Sequence, residues 1–255
     1  MNLYYGNSPC ASVAAAVPIF GRKEFQSPVR STVPLLSWLT HEQASVAALL
    51  RDLGMPQDSD LHLEYRVSPP KGKGKASHTD LMAMSGDSSL AIEAKWTEQQ
   101  YDTVGKWLQR GPSPQNRLDV LAGWLELLQS HARRPLHTGD FHGAVYQTVH
   151  RAASACASGH KPRMAYVLFE PSPDKYTAGI QTLRQDLEHL WGLLGKPSRF
   201  PMFVVGIPLC QTELFKALAP LPKGDHETAR RVGATLVEGQ QLFTFGDYHV
   251  TGIGE

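Results

Sequence analysis

The chain has 255 residues, of which 42% are hydrophobic and 19% are charged, and its formal net charge is +1. These values are ordinary for a globular protein with one large α/β domain, or one domain with an appended helical part. A net charge near zero neither indicates nor excludes nucleic acid as a partner, because a neutral protein can still present a basic groove.

Cysteine usage and hydropathy exclude several classes of protein. Cys10, Cys156 and Cys210 lie far apart without C-x-x-C spacing, which argues against a disulfide framework and against a thiolate zinc site. No apolar run reaches the roughly 18 residues that span a bilayer. The mildly apolar segment 10–20 lacks a preceding basic region, so no signal peptide is expected. A cytoplasmic location is the default expectation.

The chain begins with a segment, residues 1–34, in which Gly, Pro and Ser are scattered, and we expect an irregular lead-in there. A helix is predicted next. Thr40 and Gln43 match the capping box S/T-x-x-E/Q, and an apolar stripe of alanines and leucines then runs to Gly54.

Three segments with strand character follow, separated by a loop and a turn. Residues 61–67 alternate apolar and polar side chains, and residues 68–77 form a loop rich in Pro, Gly and Lys. Two further strands are predicted at 79–84 and 89–96, and the Gly-Asp between them is a hairpin signal.

The second half of the chain alternates helices with apolar strands. Residues 99–159 are predicted to be helical with breaks at 111–114 and 137–140, and a further helix covers 177–194. Two continuous apolar runs are typical of strands buried on both faces: 164–170 and 200–209. Short helices and a final strand complete the tail. The order predicts an α/β fold with a mixed sheet, and residues 35–255 are interpreted as a single domain.

The predicted hairpin at 79–96 brings two carboxylates together. Residues pair across it when their numbers sum to 173, so Asp80 lies opposite Glu93, with Cβ atoms about 4.5–5.5 Å apart. Lys95 is two residues beyond Glu93 and lies on the same sheet face, roughly 7 Å further along. Ile92, Ala94 and Trp96 then point to the opposite face, as core residues should.

Two like charges directly opposite each other destabilise a sheet unless something neutralises them. Lys95 could do so in part, and a divalent cation could do so fully. Mg²⁺ binds one or two carboxylates together with waters and phosphate oxygens, so these residues suggest a Mg²⁺ or Mn²⁺ site. The alternative is a solvated sheet face that carries a cross-strand ion pair.

Asp80 followed by Glu93-Ala94-Lys95 resembles the D…(D/E)-x-K signature of the PD-(D/E)XK, or restriction-endonuclease-like, superfamily. The predicted order of elements from Thr40 to about Glu170 is similar to the αβββαβ core of that superfamily. The resemblance implies Mg²⁺-dependent cleavage of phosphodiester bonds, usually in DNA, with the two acids as metal ligands and the lysine in catalysis. One departure is Thr79, which stands where the name-giving proline would be.

The resemblance implies further site residues. The backbone carbonyl of Ala94 is a candidate metal ligand. Glu42 matches an acidic residue that many members carry on their first helix, although an acid there would also stabilise the helix dipole. Independently of the resemblance, Glu64 could reach the site from the neighbouring strand, or it could form a cross-strand ion pair.

Two sets of residues are candidates for binding nucleic acid. Gln147 resembles a glutamine that recombination-type members carry on the helix after the catalytic strands, and Arg151 lies one turn along; either could contact phosphate, or both could belong to the polar edge of a helix. The lysines of the 68–77 loop could fold over a phosphate backbone, or the loop could be a disordered surface segment: Lys71, Lys73 and Lys75. This loop is not a P-loop, because its glycines are not in the G-x-x-x-x-G-K-[ST] frame.

Other chemistries have little support, since the sequence contains no G-x-S-x-G, H-E-x-x-H or G-x-G-x-x-G motif. The leading hypothesis is a Mg²⁺- or Mn²⁺-dependent deoxyribonuclease. The alternatives are a non-catalytic nucleic-acid-binding or scaffolding protein that retains the fold, and a nuclease subunit that needs a partner. The sequence is compatible with a homodimer or with a partner subunit.

Overall fold

A computed structural model describes residues 1–110 and 113–254. The fold is α/β, with helices on both faces of a mixed sheet. The strands within the described residues are β1 Leu3–Tyr5, β2 Ser8–Cys10, β3 Asp60–Val67, β4 Ser77–Ser85, β5 Ser88–Lys95, β6 Lys161–Glu170, β7 Met202–Gln211, β8 Phe243–Phe245 and β9 His249–Gly252. The α-helices are α1 Val13–Ala16, α2 Thr32–His41, α3 Gln43–Asp52, α4 Val104–Gln109, α5 Pro114–Gln129, α6 Tyr146–Ser158, α7 Ile180–Leu193, α8 Glu213–Leu218 and α9 His226–Val237.

The sheet has the strand order β2-β1-β3-β4-β5-β6-β7-β8, and β9 also pairs with β7. Strands β3, β4 and β5 form an antiparallel meander, whereas β5, β6 and β7 run parallel to one another. The parallel neighbours are joined through α6 and α7, as parallel pairs require. Helix α3, the meander, α6 and β6 therefore follow in the predicted order of helix, three strands, helix and strand.

The strands that were predicted to be buried on both faces of the sheet are buried on both faces. In β6, Ala165, Val167 and Phe169 lie in a core with α2, α3, α8 and α9. Met164 and Tyr166, which alternate with them, lie in a second core with α5, α6 and α7. The architecture has three layers, with the sheet in the middle. No helix among the described residues is long and apolar enough to cross a membrane.

The prediction for the start of the chain was wrong in part. Residues 1–34 contain β1 and β2, and β1 pairs in parallel with β3. Strands of three residues are too short to show a periodic pattern, so they could not be predicted from the sequence. The prediction that a helix starts at a capping box formed by Thr40 and Gln43 was also wrong. Helix α2 has already begun at Thr32, and the Thr40 hydroxyl donates to the carbonyl of Leu36.

The predicted helical breaks have different outcomes. Of the break at 111–114, residues 111 and 112 lie outside the described residues. Helix α5 begins at Pro114, whose fixed φ suits the first turn of a helix. The break at 137–140 is present, as a short 3-10 turn from Thr138 to Phe141.

Candidate active site

The β4–β5 hairpin has the predicted register. Leu81 pairs with Ile92, so the numbers of paired residues sum to 173, and the next position places Asp80 opposite Glu93. The antiparallel ladder ends at Leu81 and Ile92. Beyond it, the Asp80 carboxylate accepts a hydrogen bond from the backbone N–H of Ala94 at 2.8 Å. The Asp80 side chain thus takes the place of a ladder partner where the two strands separate.

Glu93 and Lys95 share the sheet face that looks towards α6, and both are buried. The ammonium of Lys95 donates to Glu93 Oε1 at 3.1 Å and lies 4.5 Å from the centroid of the Tyr101 ring. Ile92 and Ala94 belong to the core on the opposite face, as the alternation predicted.

Helix α6 supplies two further side chains to this face. Gln147 bridges the pair, because its Nε2 donates to Glu93 Oε1 at 2.6 Å and its Oε1 accepts from Lys95 at 2.7 Å. Arg151 donates from Nε to Glu93 Oε2 and from Nη1 to the hydroxyl of Ser77 at 2.7 Å. The structure brings both residues to the acidic pair, but it buries them there. Their hydrogen bonds are to protein groups, so they position Glu93 and Lys95 rather than form an open phosphate-binding surface.

The two facing acids have opposite electrostatic environments. Burial would raise the pKa of Glu93, but Arg151 and Lys95 outweigh that effect and lower it. The pKa of Asp80 is raised well above its usual range, first by burial and then by the Glu93 charge. Burial alone would lower the pKa of Lys95, but Glu93 reverses this and the ammonium stays protonated. Glu93 is therefore an anion bound to protein cations, whereas Asp80 is a carboxylate whose charge is poorly compensated.

Glu64 on β3 lies next to Asp80 across the sheet, because the register pairs Leu63 with Leu81 and Tyr65 with Thr79. Its φ of 52° is left-handed, which is rare for a residue with a side chain and marks local strain. Burial, followed by the charge of Glu24, raises the pKa of Glu64 to about 7.

The left-handed residue also ends the predicted alternation of β3. Leu63 packs in the core with α2 and α3, whereas Tyr65 packs on the opposite face beside Met82 and Ala155. The prediction that Leu63 and Tyr65 share a face was therefore wrong, because the strand reverses its faces at Glu64.

A cleft of about 320 Å³ contains these groups and others that the sequence analysis missed. Glu24 and Arg30, from the segment before α2, form an ion pair at 2.6 Å on its rim. Glu98 accepts from the backbone N–H and hydroxyl of Ser31 and from the backbone N–H of Trp96. No motif marked these residues, since they reach the cleft only through the packing of the first 34 residues against the end of β5.

A family model described as a domain of unknown function, DUF6946, matches residues 10–215. The chain belongs to the DUF6946 family. The matched range contains every residue that lines the cleft, from Glu24 to Arg151, and it ends before α9 and the last two strands. No curated protein and no solved structure matches the chain at a significant level.

Glu42 does not line the cleft of this DUF6946 chain. It stands between α2 and α3, where the chain turns from one helix into the next. The start of α2, at Thr32, lines the cleft instead, and ten residues of helix separate Glu42 from it by about 15 Å. The proposal of Glu42 as a metal ligand is therefore corrected, because the helix presents its other end to the site.

The lysine loop of the DUF6946 chain is packed against α5 rather than free to fold over a ligand. Lys73 donates its backbone N–H to the Asn116 side chain at 2.6 Å and accepts from it at 2.9 Å. Lys71 forms an ion pair with Glu126 at 2.8 Å. The loop was expected either to fold over a phosphate backbone or to be disordered. In the structure it is instead fixed against α5.

Gly123 of α5 allows this close packing, because a Cβ there would lie 2.7 Å from the backbone nitrogen of Lys71. We expect Gly123→Ala to lower the free energy of unfolding by about 1–3 kcal/mol, since a backbone atom must move. Gly192→Ala is the matched control: Gly192 lies in α7 with open space around it, and alanine there should stabilise the helix by about 0.5–1 kcal/mol. Urea denaturation of both variants tests this, and equal effects would contradict it.

Charge balance leaves three carboxylates of the cleft without a cation in the described part of the chain: Glu64, Asp80 and Glu98. Among the described residues, Glu24 pairs with Arg30, and Glu93 pairs with Arg151 and Lys95. Glu64 contacts His78 at 3.3 Å, but burial and the Arg66 charge lower the pKa of that imidazole and favour its neutral form. Glu98 accepts hydrogen bonds from Ser31 and Trp96 with both of its oxygens, whereas Glu64 and Asp80 have fewer protein donors. Glu64 and Asp80 are therefore the cleft acids whose negative charge is least compensated.

Proposed function

We propose that this DUF6946 chain is a divalent-metal-dependent nuclease that hydrolyses phosphodiester bonds, with DNA as its substrate. The observation that carries the proposal is the juxtaposition of Asp80 and Glu93 across the hairpin, with Lys95 on the same sheet face inside a cleft. The order of helix, three strands, helix and strand supports it, because it is the order of the PD-(D/E)XK core.

The donor set fits a hard cation at Asp80 and Glu64. Both are carboxylates in a cleft with uncompensated negative charge, and Mg²⁺ or Mn²⁺ is held by one or two such groups together with water and substrate oxygens. No three His, Cys, Asp or Glu side chains within residues 1–110 and 113–254 are arranged to hold a metal ion. The protein ligands we propose are Asp80 and Glu64, with the Ala94 carbonyl, which also lines the cleft. Glu93 was predicted to be a metal ligand as well, but both of its oxygens accept hydrogen bonds from Lys95, Gln147 and Arg151, so we assign it to positioning Lys95 instead.

A cation bound there would polarise a phosphate ester and lower the pKa of a bound water. Lys95 acts beside it as a hydrogen-bond donor, because Glu93 keeps the ammonium charged. A charged ammonium cannot accept a proton, so Lys95 orients the attacking water or stabilises charge on the phosphate rather than serving as the base. Glu93 and Gln147 accept hydrogen bonds from that ammonium, and Arg151 holds Glu93 in position.

A non-catalytic nucleic-acid-binding protein is the second candidate, and one observation favours it. Both oxygens of Glu93 already accept hydrogen bonds from protein donors, which is an arrangement that a purely structural ion-pair network would also have. The two candidates differ in whether the acidic cleft binds a divalent cation.

Calorimetric titration with Mn²⁺ tests the proposal. We expect the wild type to bind one ion at pH 8, and about tenfold more weakly at pH 6, because Glu64 has a pKa of about 7 and must lose its proton to become a ligand. Because the pKa of Glu64 is raised, protons compete with the metal ion for its carboxylate more strongly as the pH falls below 7. Glu64→Gln should weaken binding at pH 8 and reduce the pH dependence, and the part that remains is due to Asp80, whose pKa is also raised.

Glu42→Gln is the matched control for this titration, since Glu42 is also acidic but lies outside the cleft. Its affinity for Mn²⁺ should equal that of the wild type. Heat of binding that persists unchanged in Glu64→Gln and in Asp80→Asn would place the ion elsewhere and favour the non-catalytic candidate.

A further inference from the structure

A second cavity of about 400 Å³ borders the face of α6 that carries Tyr146 and His150, next to the face whose Gln147 and Arg151 line the proposed active site. It is lined by the lysine loop, by α4 and α5, and by the first turns of α6. Its volume is within the range of ligand-binding pockets. We call it the cationic pocket. The proposed chemistry at Asp80 and Lys95 does not use it.

The charge of the cationic pocket is of one sign. Of the described residues that line it, Lys73, Lys75 and Arg117 are cationic and none is acidic. Ion pairs within the described part of the chain include Lys71 with Glu126 but neither of the two pocket lysines. The Arg117 guanidinium is fixed by stacking 4.9 Å from the Trp107 ring centroid. A pocket with three positive charges and no acid is suited to an anion.

The backbone that lines the cationic pocket is held in place by specific contacts. The two hydrogen bonds between Lys73 and Asn116 fix the backbone of the loop on α5. Gly72 has a φ of +73°, and a Cβ there would lie 2.7 Å from the backbone nitrogen of Val120. The lysines are therefore presented from a backbone that is held in place, which reduces the entropy lost on binding.

His150 adds a neutral donor. Its Nδ1 lies 3.3 Å from Nη1 of Arg151, and a guanidinium can only donate, so Nδ1 is the acceptor. Burial also lowers the pKa of His150 well below its usual range, so the ring is neutral and its proton is on Nε2. The hydroxyl of Ser77 also contacts Nδ1, at 2.9 Å. Nε2–H is thus the ring donor that remains for a ligand in the pocket.

Arg151 connects the cationic pocket with the active site. Its Nε donates to Glu93 in the cleft, while its Nη1 donates to Ser77 and His150 at the wall of the pocket. One guanidinium therefore separates the two cavities. A polymer with regularly spaced phosphates could place one phosphate in each of them.

We propose that the cationic pocket binds a phosphate of the DNA strand that flanks the scissile phosphate, so that it is a substrate-positioning subsite. This inference rests on the proposed nuclease function. Lys73, Lys75 and Arg117 supply the charge, and His150 supplies a directed hydrogen bond. Trp107 and Tyr146, whose rings stack at 3.8 Å, form an apolar wall for the attached sugar.

The test compares two variants of the same loop in the full chain. The double variant Lys73→Gln/Lys75→Gln removes two pocket charges, and Lys71→Gln removes the charge that Glu126 already neutralises. Binding of a labelled single-stranded DNA is followed by fluorescence anisotropy in EDTA, so that no hydrolysis is required. We expect the double variant to bind about tenfold more weakly and to reduce the slope of log K against log salt by about 1.4, while Lys71→Gln changes neither.

The outcomes separate this subsite from the nuclease proposal. Equal losses in the double variant and in Lys71→Gln would mean a diffuse field rather than a subsite, and unchanged binding in the double variant would also overturn the inference. So would a labelled mononucleotide that binds as tightly as the strand, because the pocket would then serve a small ligand. If the loop-dependent binding is found but the wild type hydrolyses no DNA with Mg²⁺ or Mn²⁺, the subsite stands and the nuclease proposal fails.

Discussion

Asp80→Asn should abolish metal-dependent DNA hydrolysis while leaving the protein folded and more stable. The asparagine side chain has the same shape, and its carbonyl oxygen can still accept the hydrogen bond from the Ala94 N–H. What it lacks is the negative charge that would hold a cation. We expect the rate to fall by roughly 10³-fold or more, since both the bound ion and the activated water are lost.

The expected gain in stability of Asp80→Asn distinguishes loss of a metal ligand from misfolding, which would also abolish hydrolysis but would lower the stability. The pKa of Asp80 is raised by burial and by Glu93, so the ionised carboxylate destabilises the folded state near neutral pH. Removing that charge should raise the free energy of unfolding at pH 8 and have less effect at low pH, where the wild-type group is already protonated. Urea denaturation at the two pH values measures this.

Lys95→Ala and Glu42→Gln complete the comparison. Lys95→Ala should lose about 10²–10³-fold in rate, because one donor to the reacting phosphate or water is removed. Glu42→Gln removes an acid that lies outside the cleft, so its rate should match the wild type. Full activity in Asp80→Asn or in Lys95→Ala would contradict the assignment of the site.

The position of the acidic pair could be predicted because it depends on a single local feature. Gly86 has a φ of +55°, and the turn it forms with Asp87 pairs Ser85 with Ser88. Once that turn is fixed, the period of two along each strand places every side chain of the hairpin on its face. Sequence distance within the hairpin is short, so no tertiary contact was needed to find Asp80 and Glu93.

The rest of the cleft depends on contacts between residues that are distant in sequence. Arg151 reaches Glu93 across 58 positions, and Glu98 reaches Ser31 across 67. Side-chain periodicity carries no information about such pairs. The reversal of β3 at Glu64 was unpredictable for another reason: a left-handed φ is unfavourable for glutamate, and only the surrounding structure can impose it.

The role of Arg151 was misjudged because the sequence does not reveal burial. At the edge of a helix, an arginine after Gln147 and His150 suggests an exposed phosphate contact, yet its side chain is only 9% exposed. A buried guanidinium must be paired, and Glu93 is its partner. The same residue that was expected to bind substrate therefore stabilises the acid on which the lysine depends.

Arg151→Met should destabilise the protein by about 3–5 kcal/mol at pH 8, because it leaves the buried Glu93 carboxylate without its guanidinium partner. The lowered pKa of Glu93 means that the pair stabilises the fold above the pKa of the unfolded state and ceases to do so as the pH falls through the folded pKa. In the variant, burial is no longer outweighed, so Glu93 takes up a proton more readily. The destabilisation should therefore be smaller at pH 5 than at pH 8.

Two further variants separate the pair from a general loss of packing. In a double-mutant cycle, Glu93→Gln/Arg151→Met should be less destabilised than the sum of Glu93→Gln and Arg151→Met, because the coupling between the two charges is favourable. Lys95 loses its Glu93 partner in both variants that carry Glu93→Gln, so that loss cancels in the cycle. Arg184→Met breaks the exposed pair with Glu188 on α7 and should change stability by only about 0.5 kcal/mol. If Arg151→Met also changed the free energy of unfolding by only about 0.5 kcal/mol, the ion pair of Arg151 with Glu93 would be no stronger than one at the surface. Glu93 would then be able to leave Arg151 for a cation at little cost, and the protein ligands of the proposed metal site would include it alongside Asp80.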